Sequence, residues 1–530
     1  MVQRVALITV LICVFAWTTA MGRPTQSAHT ASPSALTVHN TTYIDANWIL
    51  MFVTNHGSFG RDIDDVFGYG YGTFYPYYGN TVQIENGTHI ESPLGNAGLW
   101  LAGVEATSGD TLVAVSEYGS EYVPGPMSGG SFLPDVPEYR VYKLYSDSLA
   151  SHPNQDYLDW PTDQSAPVDY GGKPRMLGDR MTWCVFNDAS GHNLFHTEPL
   201  GIEVQQTVFA YESMGWLGHF VFMRYVLHNK GDHSLTDFYL SVWMDPDIGS
   251  YEDDKAGCDT LNDIYFAYNG DNVDDVYTSP PPAFGFKVIS GPLVYSPGDN
   301  ADFNGVTVPD YRNVSPSSFF VYPYGPDPDN YRHVYRLMHG LDIDGNPHVY
   351  NGKALHYMYS GDVATGSGDI DPTLDDKRMM ASFGPFDFNP GDSQYVLMVI
   401  GAADNGNNIQ AVAALKTLFA QINFDPTPVD DPVVSTLPDG FTLEQNYPNP
   451  FNPDTKITFS LPAKADVTVE IYNVLGQRVR QLWDAPLSAG DHAVEWNGRD
   501  DRGAAVASGV YFYRVVAGDE AISRKMLMVK

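Results

Sequence analysis

The chain has 530 residues, 64 acidic against 29 basic, a formal net charge of −35, and 13% aromatic residues. An acidic excess of this size argues against nucleic acid or an anionic membrane as partner, since either would repel it, and favours cations, positive surfaces or plain solvation. Abundant Gly and Pro with few helix-favouring charged runs predict an all-β fold, in two to four units at roughly 100–200 residues each.

Met1 to Arg4 is a short basic start, Val5 to Trp17 is apolar, and Thr18-Thr19-Ala20 is small enough for cleavage. Residues 1–20 therefore read as a secretory signal peptide, and no later segment has the length of a transmembrane helix. Residues 21–42, rich in Ser, Thr and Ala, read as a leader without structure. The body, 43–423, opens on an apolar, strand-like run from Tyr43 to Val53. Gly68 to Tyr78 then alternates glycine with tyrosine, so that Tyr69, Tyr71, Tyr75 and Tyr77 can either stack on a sugar or cover the domain's own core. Leu99–Gly103 and Thr111–Val115 pair around Ser108-Gly109-Asp110, and residues 120–180 form a loop-rich excursion broken by Pro and Gly.

The clearest strands are central. Gly201–Tyr211 leads into Gly218–His228, where Phe220, Phe222, Arg224 and Val226 share one face and Val221, Met223, Tyr225 and Leu227 the other. Two apolar faces predict a strand inside a two-layer structure. Asn229 to Asp232 reads as a hairpin turn returning through Phe238–Trp243.

Where that return ends, Asp245, Asp247, Glu252, Asp253, Asp254 and Asp259 crowd into fifteen positions. Asp245 and Asp247, two apart in extended chain, point the same way, and crowded carboxylates repel unless a cation or proton joins them. Hard Ca²⁺ takes such oxygen ligands. The spacing is not that of an EF-hand, because the twelfth position counted from Asp245 is Ala256. Asp342-Ile343-Asp344 fails likewise at Lys353, and Asp369, Asp371, Asp375 and Asp376 make a third acidic loop. Solvated turns are the competing reading. An Asp/Glu pair held about 5–10 Å apart would make the body a secreted carbohydrate-active hydrolase, the alternative to a structural or glycan- or cation-binding module. The chain has no Gly-x-Ser-x-Gly, no His-Glu-x-x-His and no phosphate loop. Cys184 and Cys258 remain after cleavage of the signal, open either to one disulfide or to two separate buried thiols.

Ile409, Val412, Leu415, Phe419 and Ile422 follow a helical stripe, giving one helix at the end of the body, and residues 424–440 are a Pro- and Asp-rich linker. Beyond it, Val467, Val469 and Ile471 alternate with Thr468 and Glu470, and Val510–Val516 is β-branched and aromatic, so that residues 441–530 read as a small β-sandwich. Its motif residues are Asn446, Tyr447, Pro448, Asn449, Pro450, Phe451, Asn452 and Pro453, followed by Tyr472, Gly476, Trp496, Gly509 and Tyr511, and by the basic, apolar ending Ser523–Lys530. This order resembles the C-terminal sorting domain of proteins exported by the bacterial type IX (Por) secretion system, and equally the immunoglobulin-like domain of flagellar hook-capping proteins. The resemblance implies passage through Sec to the periplasm, engagement of the type IX machinery by the tail, and an extracellular or outer-surface location. It implies no chemistry. Gly98–Gly103, Ser241–Gly249 with Gly257–Thr260, and Phe383–Phe386 with Pro390–Asp392 resemble large secreted bacterial proteins carrying this same tail, for which no activity is implied.

Overall fold

A computed structural model describes residues 40–64, 72–77, 92–422 and 441–529, apart from 129–130, 133–135, 147–153, 170–171, 214, 275, 278–279, 324, 326, 444, 447–448, 450, 462–464, 474–475, 488–489 and 519. The chain is mostly β and divides into two compact units, the body and a C-terminal domain.

In the body the principal strands are β1 (Thr41–Ile44), β2 (Met51–Thr54), β3 (Ser58–Phe59), β4 (Asn96–Glu105), β5 (Thr111–Val115), β6 (Arg180–Asn187), β7 (Ile202–Ala210) and β8 (Phe220–Asn229). There follow β9 (Leu235–Asp245), β10 (Asp254–Asp259), β11 (Ile264–Asn269), β12 (Ala283–Ser290), β13 (Ser318–Pro323), helix α1 (Tyr331–Met338), β14 (Lys377–Phe388), β15 (Ser393–Ala403) and helix α2 (Asn408–Phe419). One sheet runs β1-β2-β3-β4-β9-β14-β13, with β5 also on β4; the other runs β10-β11-β12-β15-β8-β7-β6 and ends on Val123–Pro124 and Tyr142–Tyr145.

The alternation along β8 sets the layers. Val221, Met223, Tyr225 and Leu227 enter the main core with Leu99, Leu101, Leu240 and Val242 from the opposite sheet. Phe220 and Phe222 face outward into a second core closed by Ala411, Val412, Leu415 and Phe419 of α2. Phe419 stacks on Phe220 at 5.3 Å, and Asn407 caps the helix by accepting from Gln410 N at 2.8 Å. Each large side chain buried this way contributes about 1.5–3 kcal/mol.

Three elements differ from the sequence reading. Tyr43–Val53 is two antiparallel strands and not one, because buried Asn47 breaks the run and donates to Phe220 O at 2.9 Å. The turn after Asn229 does not close a hairpin: β8 pairs with β15, while β9 pairs with β4 and β14 in the other sheet. Asn229 anchors this arch, donating to His233 O (3.0 Å) and to Phe388 O (2.8 Å) beside the matching β14–β15 arch. Helix α1 is additional to the one helix read from sequence. Asn330 caps it, and Val334, Leu337 and Met338 pack on the main core.

Gly98 of β4 lies against the next segment of chain, since a Cβ there would stand 1.8 Å from Ser116 O. Gly98→Ala is expected to cost about 3 kcal/mol through this backbone clash and to lower the melting temperature visibly in scanning fluorimetry.

The C-terminal domain packs a sheet of β16 (Thr442–Leu443), β17 (Thr455–Leu461) and β20 (Gly490–Trp496) on one of β18 (Ala465–Asn473), β19 (Arg478–Leu487), β21 (Gly509–Ala517) and β22 (Glu520–Met528). Val467, Val469, Ile471, Tyr513 and Val515 fill its core, an Ig-like sandwich.

Candidate functional site

Four strand ends meet on the outer face of the eight-stranded sheet. Asp245 closes β9, directly opposite Asn96, which opens β4; antiparallel partners carry their side chains on the same face. Arg378, the second residue of β14, stands opposite Tyr322 near the end of β13, and Trp243 and Met380 form the next rung inward. Above this floor the chain leaving β5 crosses Gly98 and lays down Glu117 and Tyr118.

Asp245, Asp247 and Asp376 converge there, each offering a carboxylate oxygen within 4.8 Å of the other two. Asp247 fits because residue 95 is glycine: a Cβ at Gly95 would stand 2.3 Å from Asp247 Oδ2. Tyr118 donates its hydroxyl to Asp245, and Arg378 pairs with Asp376 and reaches Asp245 at 3.6 Å. Burial alone would lower the guanidinium's pKa, but Asp245 and Asp376 raise it above its ordinary value. Trp243 underlies the group, stacked on Trp100 (6.1 Å), edge-on to Tyr118 (6.1 Å), and donating from Nε1 to Tyr322 Oη at 2.8 Å. Glu117 is pushed up to about 8, first by burial, then by Asp327 and Asp245, against the pull of Arg378. Beside Asp247, buried Asp254 is raised well above the usual carboxylate range by burial and then by Asp247, Asp253 and Asp274; its Oδ2 accepts from Ile248 N at 2.9 Å, and its Oδ1 has no partner among the described residues. Both side-chain atoms of Asn96, fully buried, lack a hydrogen-bond partner among the described residues.

Of the six acids singled out by spacing, Asp245 and Asp247 belong to this group and Asp254 adjoins it. Asp253 sits half-buried against Asn269, to which its Oδ2 is bonded at 3.2 Å. Glu252 is exposed in a turn. Asp259 lies at the far end of β10, roughly 16 Å along the strand from Asp254, paired with Lys416 at 3.5 Å. Glu252 and Asp259 are therefore removed from the candidate ligand set. Spacing did not tie in Asp376, 131 positions from Asp245 and delivered only by the β9–β14 pairing, or Asn96, which reads as an ordinary strand residue. Asp369 and Asp371 are engaged elsewhere, Asp369 by His348 (2.8 Å) and Tyr359 N (2.8 Å), Asp371 by Ala256 N (3.0 Å) and Lys377 (3.3 Å).

Tyr69 and Tyr71 lie outside the described residues. Tyr75 is no stacking platform: it is buried in the main core, its hydroxyl 3.2 Å from His219 Nδ1 and 3.4 Å from Asp404 Oδ1. Those two partners line an open depression of about 390 Å³ with Thr417 and Leu418. Tyr77 is half-buried against Leu50, Phe52 and Phe74. A disulfide is excluded, since Cys184 and Cys258 are buried thiols on β6 and β10, six strands apart or roughly 29 Å at about 4.8 Å per strand. Burial pushes both thiols up.

In the C-terminal domain the motif residues interlock with the last strand. Buried Asn446 donates to Thr455 Oγ1 and its backbone N to Tyr513 Oη, both at 2.8 Å. Asn449 Oδ1 accepts from Leu527 N at 2.8 Å, and the Phe451 backbone pairs with Leu527 and Val529. Phe451 and Tyr511 pack on Trp496 at 5.6 and 5.2 Å, and Trp496 Nε1 donates to Arg499 O. Tyr472 donates to Glu470, Gly476 takes φ +74° in a turn, and Gly509 opens β21. Asn452 and Pro453 are exposed, while Tyr447, Pro448 and Pro450 lie outside the described residues.

Residues 446–520 match the FlgD Ig-like domain family. No curated protein matches the chain. Among solved structures it aligns with a polysaccharide lyase at 8% identity and TM-score 0.24, over 94% of this chain and 47% of that one. It aligns with dimeric latent PorU from Porphyromonas gingivalis at 8% and 0.15, over 93% and 34%. PorZ, a surface component of the type-IX secretion system of the same organism, aligns at 12% and 0.14, over 93% and 51%. The chain spans about half or less of each of these proteins, and alignments with such scores carry no argument. Among the described residues no helix is long and apolar enough to cross a membrane.

Proposed function

We propose that the chain is an exported bacterial surface protein: the C-terminal Ig-like domain is its address for the type IX machinery, and the body is a structural or ligand-binding β-sandwich. The observation that carries this is the FlgD Ig-like match at 446–520 on a domain whose motif residues Asn449 and Phe451 are bonded to its last strand. The signal-peptide pattern of residues 1–20 supports the first stage of the route. For the body, binding is better supported than glycoside hydrolysis. Asp245 and Asp247 are buried, and Asp245 is already engaged by Tyr118 and Arg378, so the group does not present the open acid–nucleophile pair that glycoside hydrolysis needs.

The test is export in a host that carries the type IX system. The full chain is expected at the outer surface or in the medium, and a chain ending at residue 440 is expected to accumulate in the periplasm. Equal surface delivery of both would remove the sorting role.

A further inference from the structure

We propose that Asp245, Asp247 and Asp376, completed by the Asn96 side-chain carbonyl, form a calcium site that ties β4, β9 and β14 together at one end of the sandwich. Oxygens on opposite sides of a calcium ion, each about 2.3–2.6 Å from it, stand about 5 Å apart, and the three carboxylates here lie within 4.8 Å of one another. Among the described residues the donors are all hard oxygens, with no histidine or cysteine in the group, which selects calcium or magnesium over zinc or copper. Magnesium keeps several of its waters and rarely takes an all-protein cage, whereas two of these three carboxylates, Asp245 and Asp247, are buried beside Tyr118 on a floor of Trp243.

Acid crowding alone would not make the case. Asn96 supplies independent support: it is fully buried, stands opposite Asp245 on the same face, and neither its amide nitrogen nor its carbonyl oxygen has a hydrogen-bond partner among the described residues. Leaving such a side chain unsatisfied costs about 1–3 kcal/mol, and a bound cation would engage its carbonyl oxygen. Arg378, paired with Asp376 and 3.6 Å from Asp245, would then position both carboxylates. Gly95 belongs to the same design, since any larger residue would displace Asp247.

The site does not depend on the export route, and its test is made on purified protein. The chelator-treated full chain is melted with EDTA, with 1 mM calcium and with 1 mM magnesium. A rise of at least about 3 °C is expected with calcium, corresponding to binding well above its dissociation constant. Terbium should show emission sensitised through Tyr118 and Trp243 and displaced by calcium. Asp247→Asn should reduce calcium affinity at least tenfold, while Asp259→Asn, at the far end of β10, should leave it unchanged. No calcium shift together with no displaceable terbium emission would overturn the site and leave Arg378 as the group's counter-charge. An equal response to magnesium would overturn the choice of ion. Full affinity in Asp247→Asn would overturn the assigned ligands.

Discussion

Trp243→Ala is expected to lower the melting temperature of the body by about 8 °C. Truncating a fully buried tryptophan costs about 3–5 kcal/mol in lost transfer energy and residual cavity, and Trp243 is 1% exposed between Trp100 and Tyr118. The change also strands the buried Tyr322 hydroxyl, which accepts from its Nε1. A unit of this size moves about 2 °C per kcal/mol. Trp243→Phe keeps most of the packing and loses the hydrogen bond, so its penalty should stay near about 1–2 kcal/mol. If the two variants melt alike, the loss belongs to the Tyr322 contact and not to the stacked pair. Scanning calorimetry of the full chain separates these outcomes.

Phe451→Ala should fall harder on a smaller unit. Phe451 is 2% exposed, packs on Trp496, and its backbone bridges to the last strand. The side chain is worth about 3–5 kcal/mol, a large share of the roughly 5–15 kcal/mol that stabilises an ordinary domain. At about 4–8 °C per kcal/mol for some ninety residues, the C-terminal transition should drop by roughly 20 °C while the body's transition stays in place. Hydrogen exchange resolved over residues 441–529 would locate the loss. Unchanged protection there would mean that the motif is an ornament on the domain and not part of its closure.

Much of this architecture was legible in the sequence, where side-chain period alone decides. The two apolar faces of β8, the β4–β5 pair around Gly109, the stripe of α2 and the alternation of β18 all follow from local pattern. What escaped depends on partners far along the chain. Asn229 to Asp232 suits a hairpin and an arch equally well, and a strand apolar on both faces gives no sign of which sheet its successor joins. Helix α1 did carry a signal in the Asn330 cap and the Val334, Leu337 and Met338 stripe, but eight residues give a helical period little over two turns in which to declare itself. The candidate site was half visible. Asp245 and Asp247 announce themselves by charge density, whereas Asp376 arrives through the register of β14, and Asn96 matters only because its side chain has no hydrogen-bond partner among the described residues. Tyr75 stayed open between two readings because a Gly-Tyr repeat looks the same whether its rings face water or a core.

The two arches also govern how the body comes into being. His228 on β8 waits for Ser393, 165 positions later, and Leu235 on β9 waits for Phe388. Until residues 377–403 arrive, the second sheet lacks β15, the strand that joins β12 to β8, and the first lacks β14, the strand that joins β13 to β9. Assembly must therefore be slow and late, as for other folds built from distant pairings. That delay is a hazard wherever the chain lingers in water at high concentration, because the waiting strands offer sticky edges to one another.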